Sequence, residues 1–146
     1  MQRFVLQPIG VIHTPFTSPS DVPIQAARSE AVGRVEVYPK YAPGLADLDG
    51  FSHIILVYWF HRASGFSLTV RPFLDDQPHG LFATRYPARP NYIGLSVVEL
   101  VAVEGHTLQV CGVDVLDDTP LLDIKPFVPQ FDHRGGARVG WLTGRV

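Results

Sequence analysis

The sequence predicts a mainly β protein, a small closed or nearly closed β-barrel with short helical interruptions. Three observations predict it. Short apolar, β-branched runs recur along the 146 residues, and no long amphipathic helical period or internal repeat comes between them. Thirteen glycines and thirteen prolines punctuate those runs. Closure is the simplest way to hide so many short strand edges. The length fits one domain over residues 1–146, ending in a Gly-rich tail at 133–146.

The elements follow in order. Phe4 to Ile12 reads as a strand that bends at Pro8. His13 to Ser29, with Pro15, Pro19 and Pro23, reads as a long irregular loop of the kind that carries function. Val32 to Tyr38 alternates in part, as a half-buried strand does, and Tyr41 to Gly50 fits one or two helical turns. Phe51 to Phe60 is short and β-rich, which predicts a central strand buried on both faces. Leu68 to Pro72 is another short strand. Ser96–Glu104 and Thr107–Val115, joined by Gly105-His106, form a hairpin. Beyond the Asp-Thr-Pro stretch, the tail packs through Trp141.

Composition excludes several classes. A net charge of −2 argues against a broad electrostatic grip on nucleic acid. No apolar run reaches the ~20 residues of a membrane helix, and Met1-Gln-Arg-Phe lacks the apolar core of a signal peptide. A cytoplasmic location with no membrane partner is therefore expected. The single cysteine, Cys111, reads as a buried small hydrophobe. The six histidines are scattered without zinc-ligand spacing, so no metal is expected. Ser64, Ser67 and Ser96 lie in no nucleophile-elbow context. A dinucleotide fingerprint and a phosphate loop are both lacking. His53 and His61 flank the buried strand on one face by parity and read as structural.

Two stretches point to a site. Gly80 to Ser96 sets Arg85 and Arg89 four residues apart, among Gly, Pro, Asn and apolar residues. Pro87 and Pro90 exclude a helix, so the guanidinium forks sit on extended or turning backbone, suited to a carboxylate or phosphate. Leu116 to Phe127 alternates charge, proline and apolar residues, and Asp114, Asp117, Asp118 and Asp123 put four carboxylates within ten residues. Asp123 is bracketed by Leu122 and Ile124, which favours a paired carboxylate.

These blocks carry a resemblance. Phe82-Ala-Thr-Arg85, Arg89-Pro-Asn-x-Ile-Gly-Leu-Ser96, Asp117-Asp-Thr-Pro120 and Asp123-Ile-Lys-Pro126 resemble the signature blocks of the TsaA-like (YaeB/TrmO-like) family. So do Ile9-Gly-x-Ile-His-Thr-Pro15, Pro23-Ile-Gln25 and Leu48-Asp-Gly-Phe-Ser-His53, all in order from about Ile9 to Pro129. The resemblance implies a β-barrel that binds S-adenosylmethionine, forms a homodimer and N6-methylates threonylcarbamoyladenosine beside the anticodon of tRNA. Carried over by motif, the cofactor contacts are Pro23, Ile24, Gln25, His61, Arg62, Arg85, Leu95, Asp117, Asp118, Thr119 and Pro120. Arg89, Asn91 and Lys125 are left for the substrate. Three positions depart from the family pattern: Tyr92 replaces a proline, Asp118 a glycine and Phe127 a tyrosine.

The chemistry assigns roles within this set. An all-β site has no helix dipole, so the carboxylate of S-adenosylmethionine needs a side-chain partner, for which Arg85 or Arg62 is suited, while Asp117 or Asp118 is suited to face its amine or sulfonium. Methyl transfer is helped mainly by in-line alignment, for which oriented sites contribute about 7–11 kcal/mol. The acceptor nitrogen is a poor nucleophile, and Asp117 or Asp123 is the expected proton acceptor. Two functions stand: a methyltransferase acting on tRNA, and a non-catalytic module that senses S-adenosylmethionine.

Overall fold

The computed structural model describes residues 1–23 and 29–146, so Ile24 and Gln25 lie outside the described residues. Eight strands form among the described residues: β1 (Gly10–His13), β2 (Val32–Val37), β3 (His53–Trp59), β4 (Thr69–Val70), β5 (His79–Gly80), β6 (Ile93–Glu104), β7 (Thr107–Cys111) and β8 (Thr119–Pro126). Six of them close a barrel in the order β1-β2-β7-β6-β3-β8, and β4 pairs with β5 in a separate ribbon. Every barrel pairing is antiparallel. The fold is the mainly β, closed barrel that the sequence predicts.

Strand alternation fills the interior. Ile12, Val35, Ile54, Leu56, Leu108, Val110 and Leu121 are almost wholly buried and meet in one core. A side chain of this type contributes about 1.5–3 kcal/mol when fully buried. Register shifts between β3 and β8 at Val57/Tyr58, and between β6 and β7 at Leu100/Ala102, supply the local bends that closure needs. One end is plugged by 3-10 turns at Pro39–Leu45 and Leu48–Gly50, which bury Leu45 and Leu48.

Several local expectations change. Phe4, Val5 and Leu6 are exposed, and β1 begins only at Gly10, after Pro8. β3 buries its inner face while its outer face is half-buried, as a barrel strand does. Cys111 is half-buried rather than buried, and its Sγ lies 3.5 Å from the Glu30 carbonyl. The stretch from Thr119 onward forms β8, the strand that joins β1 to β3 and completes the barrel. The tail does pack through Trp141, against the β4–β5 ribbon.

Antiparallel closure sorts the connections. The connections 14–31, 60–92 and 112–118 all leave and return at the same end of the barrel. The short turn at Gly105-His106 and the plugging 3-10 turns occupy the other.

Candidate functional site

The end that collects the three connections is held together by polar contacts among them. The Thr14 amide donates to Asp117 Oδ1 at 2.9 Å, and the Thr14 hydroxyl donates to the Val115 carbonyl at 2.7 Å. The Asp117 amide returns a bond to the Phe16 carbonyl at 2.7 Å. Arg62 donates to the Thr17 carbonyl at 3.1 Å, which ties the chain after β3 to the same loop.

His13 ends β1 in the middle of this lacing. Its Nε2 lies 3.3 Å from Glu36 Oε2, and its Nδ1 lies 3.6 Å from Asp117 and 3.4 Å from Asp118. Ligand atoms of His13, Asp117 and Asp118 all fall within 4.8 Å of one another, so negative charge is concentrated here. Asp118 has φ 66°, the left-handed region that favours glycine. Aspartate is one of the few other residues that enter it readily. His61 stands near this charge: partial burial lowers its pKa, Arg62 adds to the shift, and Asp118 opposes it. At neutral pH the imidazole is therefore a neutral base.

A buried hydroxyl pair lies under the connections. Tyr58 Oη is 2.8 Å from Ser96 Oγ, and the Ser96 hydroxyl donates to Asp114 Oδ1 at 2.6 Å. Burial pushes the Tyr58 pKa well above that of an ordinary phenol. Asp114 adds to this, while the Ser96 bond and the Arg85 charge work against it. Tyr58 thus stays a neutral hydroxyl, and Arg85 is close enough to act on it electrostatically. Gly94 leaves room for this pair, because a Cβ there would come within 2.6 Å of the Tyr58 ring and 2.5 Å of Phe60.

Arg85 rides on a braced loop. One Arg89 nitrogen donates to the carbonyls of Thr84 and Tyr86, at 3.0 and 2.9 Å, and its guanidinium lies 6.0 Å from the Phe82 ring centroid. Arg89 is thus engaged in holding the loop, while Asn91, also expected at the substrate, is exposed in the same connection.

The structure brings His61, Arg62, Arg85, Asp117 and Asp118 to one barrel end, with Thr119 and Pro120 opening β8 beside them, while Pro23 lies in the 14–31 connection that leaves from that end. Leu95 lies on β6, facing outward opposite Val57. Asp123 and Lys125 stand apart. They face outward further along β8, paired with each other at 2.9 Å, so Asp123 does not share a location with Asp117. The sequence alone assigns no role to His13, Tyr58 or Ser96, and Asp114 reads there as one carboxylate among four. The Gly-Leu-Ser and His-Thr-Pro blocks were the only signals that pointed to two of them.

The fold and the site define a small barrel protein that gathers mixed charge at one rim. Comparison gives the family. A model described as the tRNA-methyltransferase O N-terminal domain matches residues 11–133, and the chain belongs to that family. A Pyrococcus abyssi protein named a probable S-adenosyl-L-methionine-binding protein is 55% identical over 141 residues, covering 96% of this chain and 77% of that protein. The human tRNA (adenine(37)-N6)-methyltransferase is 32% identical over 138 residues, covering 89% of this chain and 31% of the human protein. A crystal structure of TrmO superposes with a TM-score of 0.82 at 37% identity, over 97% of this chain. The chain spans 63% of the length of that solved protein.

Proposed function

We propose that this protein is an S-adenosylmethionine-dependent methyltransferase that acts on tRNA. The reaction in view is N6-methylation of threonylcarbamoyladenosine next to the anticodon. The observation that carries this reading is the convergence of Arg62, Arg85, Asp117 and Asp118 around one barrel rim, above the buried Tyr58–Ser96–Asp114 hydroxyl network. This donor set fits S-adenosylmethionine, which pairs a carboxylate with two cationic groups. Arginine forks suit the carboxylate, and the aspartates suit the ammonium and sulfonium.

When bound, the cofactor supplies a methyl group activated by positive sulfur. The chain's own residues hold and orient. Arg85 and Arg62 fix the amino-acid end. Asp117 and Asp118 face positive charge, with Asp118 close enough to bear on His61. Asp117, positioned by the Thr14 amide, is the side chain we assign to accept the proton from the acceptor nitrogen. Asp123 lies too far along the outer face for that role.

Charge distribution supports an RNA substrate. Residues 61–92 and 133–146 carry seven of the twelve basic side chains and only two acidic ones, in a chain whose net charge is −2. Phe66, Phe73, Phe82 and Tyr86 are exposed within the first of these segments. Arginines with exposed aromatic rings suit a single-stranded backbone and its bases.

The assembly we propose is a twofold homodimer through the outer face of β3 and β6. Ile55, Val57, Trp59, Ile93, Leu95 and Val97 line that face, with Ile93 and Leu95 exposed at 41% and 53%. Leu95 then reaches the cofactor from a site shared between two copies. No helix among the described residues is long and apolar enough to cross a membrane, and we place the protein in the cytoplasm.

The test is incubation with methyl-labelled S-adenosylmethionine and total tRNA, followed by nucleoside analysis. Label in one modified adenosine supports the reading. Cofactor binding without transfer would make the chain a sensing module instead.

A further inference from the structure

We propose that the C-terminal tail is a clamp on the Arg85 loop, with Trp141 as a positioning residue that fixes Arg85 for a ligand carboxylate. The proposal rests on the reading of Arg85 as a cofactor contact. It adds an element that neither the motif blocks nor the family match, which ends at residue 133, covers.

The clamp is built from both sides. From the tail, the Trp141 indole donates to the Ala83 carbonyl at 2.8 Å, across a separation of 58 residues. Ala83 lies two residues before Arg85. From within the connection, Arg89 holds the carbonyls of Thr84 and Tyr86, which flank Arg85 directly. Anchors at residues 83, 84 and 86 thus hold the backbone on both sides of Arg85 and leave its side chain to meet a ligand. An arginine loses less entropy on binding when its backbone is already fixed.

The tail is itself seated. The Trp141 ring stacks on His79 at 4.4 Å and 19°, and His79 Nε2 lies 2.8 Å from Asp75 Oδ2. Arg145 reaches the same carboxylate at 3.6 Å and donates to the Trp141 carbonyl at 2.8 Å. The Asp75 side chain is only 8% exposed. Trp141 is therefore locked in place by a ring stack and a shared carboxylate, while its single N–H is directed at the loop. A tail that merely covered apolar surface would need no such donor.

The test uses Trp141→Phe, which keeps a ring for His79 and removes the donor, alone and combined with Arg85→Ala. Amide exchange is read first, in the free protein. The Thr84 and Tyr86 amides, bonded to the Leu81 carbonyl at 3.0 Å and to Thr84 Oγ1 at 3.3 Å, should exchange faster in Trp141→Phe. S-adenosylmethionine affinity should fall about two- to ten-fold, the equivalent of one net hydrogen bond. In the Arg85→Ala background the same substitution should cost nothing further. Unchanged exchange at both amides, or an equal loss of affinity in both backgrounds, would overturn the proposal. If the wild type binds no S-adenosylmethionine, the cofactor reading falls, and the exchange result alone decides the clamp.

Discussion

The Ser96 hydroxyl donates to Asp114 Oδ1 over 2.6 Å while its oxygen also lies 2.8 Å from the Tyr58 hydroxyl. One buried side chain thereby ties β6 to β3 and to the connection that carries Asp117. Ser96→Ala removes a shared partner from two groups in a low-dielectric setting and should destabilise the protein by ~1–3 kcal/mol. For a chain of this size that lowers the melting temperature by roughly 3–10 °C. Tyr58→Phe should cost less, since Ser96 keeps its bond to Asp114. Denaturation of both variants checks the order; a Ser96→Ala variant as stable as the wild type would contradict it.

Asp118 is the position where this chain carries a carboxylate in place of the glycine its motif resembles, in glycine's own backbone conformation. Asp118→Gly should keep the fold and should not lower the melting temperature. If the carboxylate faces the sulfonium, the wild type should prefer S-adenosylmethionine over its neutral thioether product several-fold. At 72% side-chain exposure, screening limits the effect to that size. The substitution should narrow the gap. Titration of both ligands into both proteins decides it, and an unchanged ratio means that Asp118 serves only the turn.

Leu95 and Ile93 expose apolar surface beside the half-buried Trp59, whose ring meets Tyr92 edge-on at 5.4 Å. Light scattering should report a dimer for the wild type at micromolar concentration, and Leu95→Asp should yield monomers with the barrel intact. A wild type that is monomeric at that concentration contradicts the proposed interface.

Asp75 makes the tail acid-sensitive. The His79 hydrogen bond holds its pKa below the ordinary value, with the Gln77 and Asp76 amides and the Arg145 charge acting in the same direction and burial opposing them. A carboxyl whose folded pKa is depressed adds stability above its unfolded pKa, ~3.9, and loses it as pH falls further. The Trp141 indole resonance should therefore stay constant as Asp75 remains ionised and shift below about pH 4. Asp75→Asn should remove that acid transition. Its persistence in Asp75→Asn would assign it to another group.

Much of the barrel was legible because local pattern and burial agree along β2, β3 and the β6–β7 hairpin. β8 was not. The register shift at Val57/Tyr58 breaks its alternation after Leu121, so that Ile124 rather than Asp123 turns inward, and Pro120 and Pro126 disguise the rest. β5 is two residues long and exists only through its pairing with β4. Arg62, Arg85 and the Asp117–Asp118 turn were legible as site candidates because proline and charge exclude ordinary core there. His13 was not, since its neighbours Asp117 and Asp118 lie more than a hundred residues away and only closure of the barrel joins them. Trp141 was expected to pack, but its partner Ala83 left no sequence signal.

The most direct measurement is methyl transfer to two forms of one tRNA, one bearing threonylcarbamoyladenosine beside the anticodon and one bearing plain adenosine there. The wild type should add one methyl to the modified nucleoside only. Arg85→Ala should need about thirty-fold more S-adenosylmethionine to do so, the low end of the cost of an unpaired ligand carboxylate. Failure to methylate either tRNA, in a preparation that binds S-adenosylmethionine, would contradict the proposed reaction.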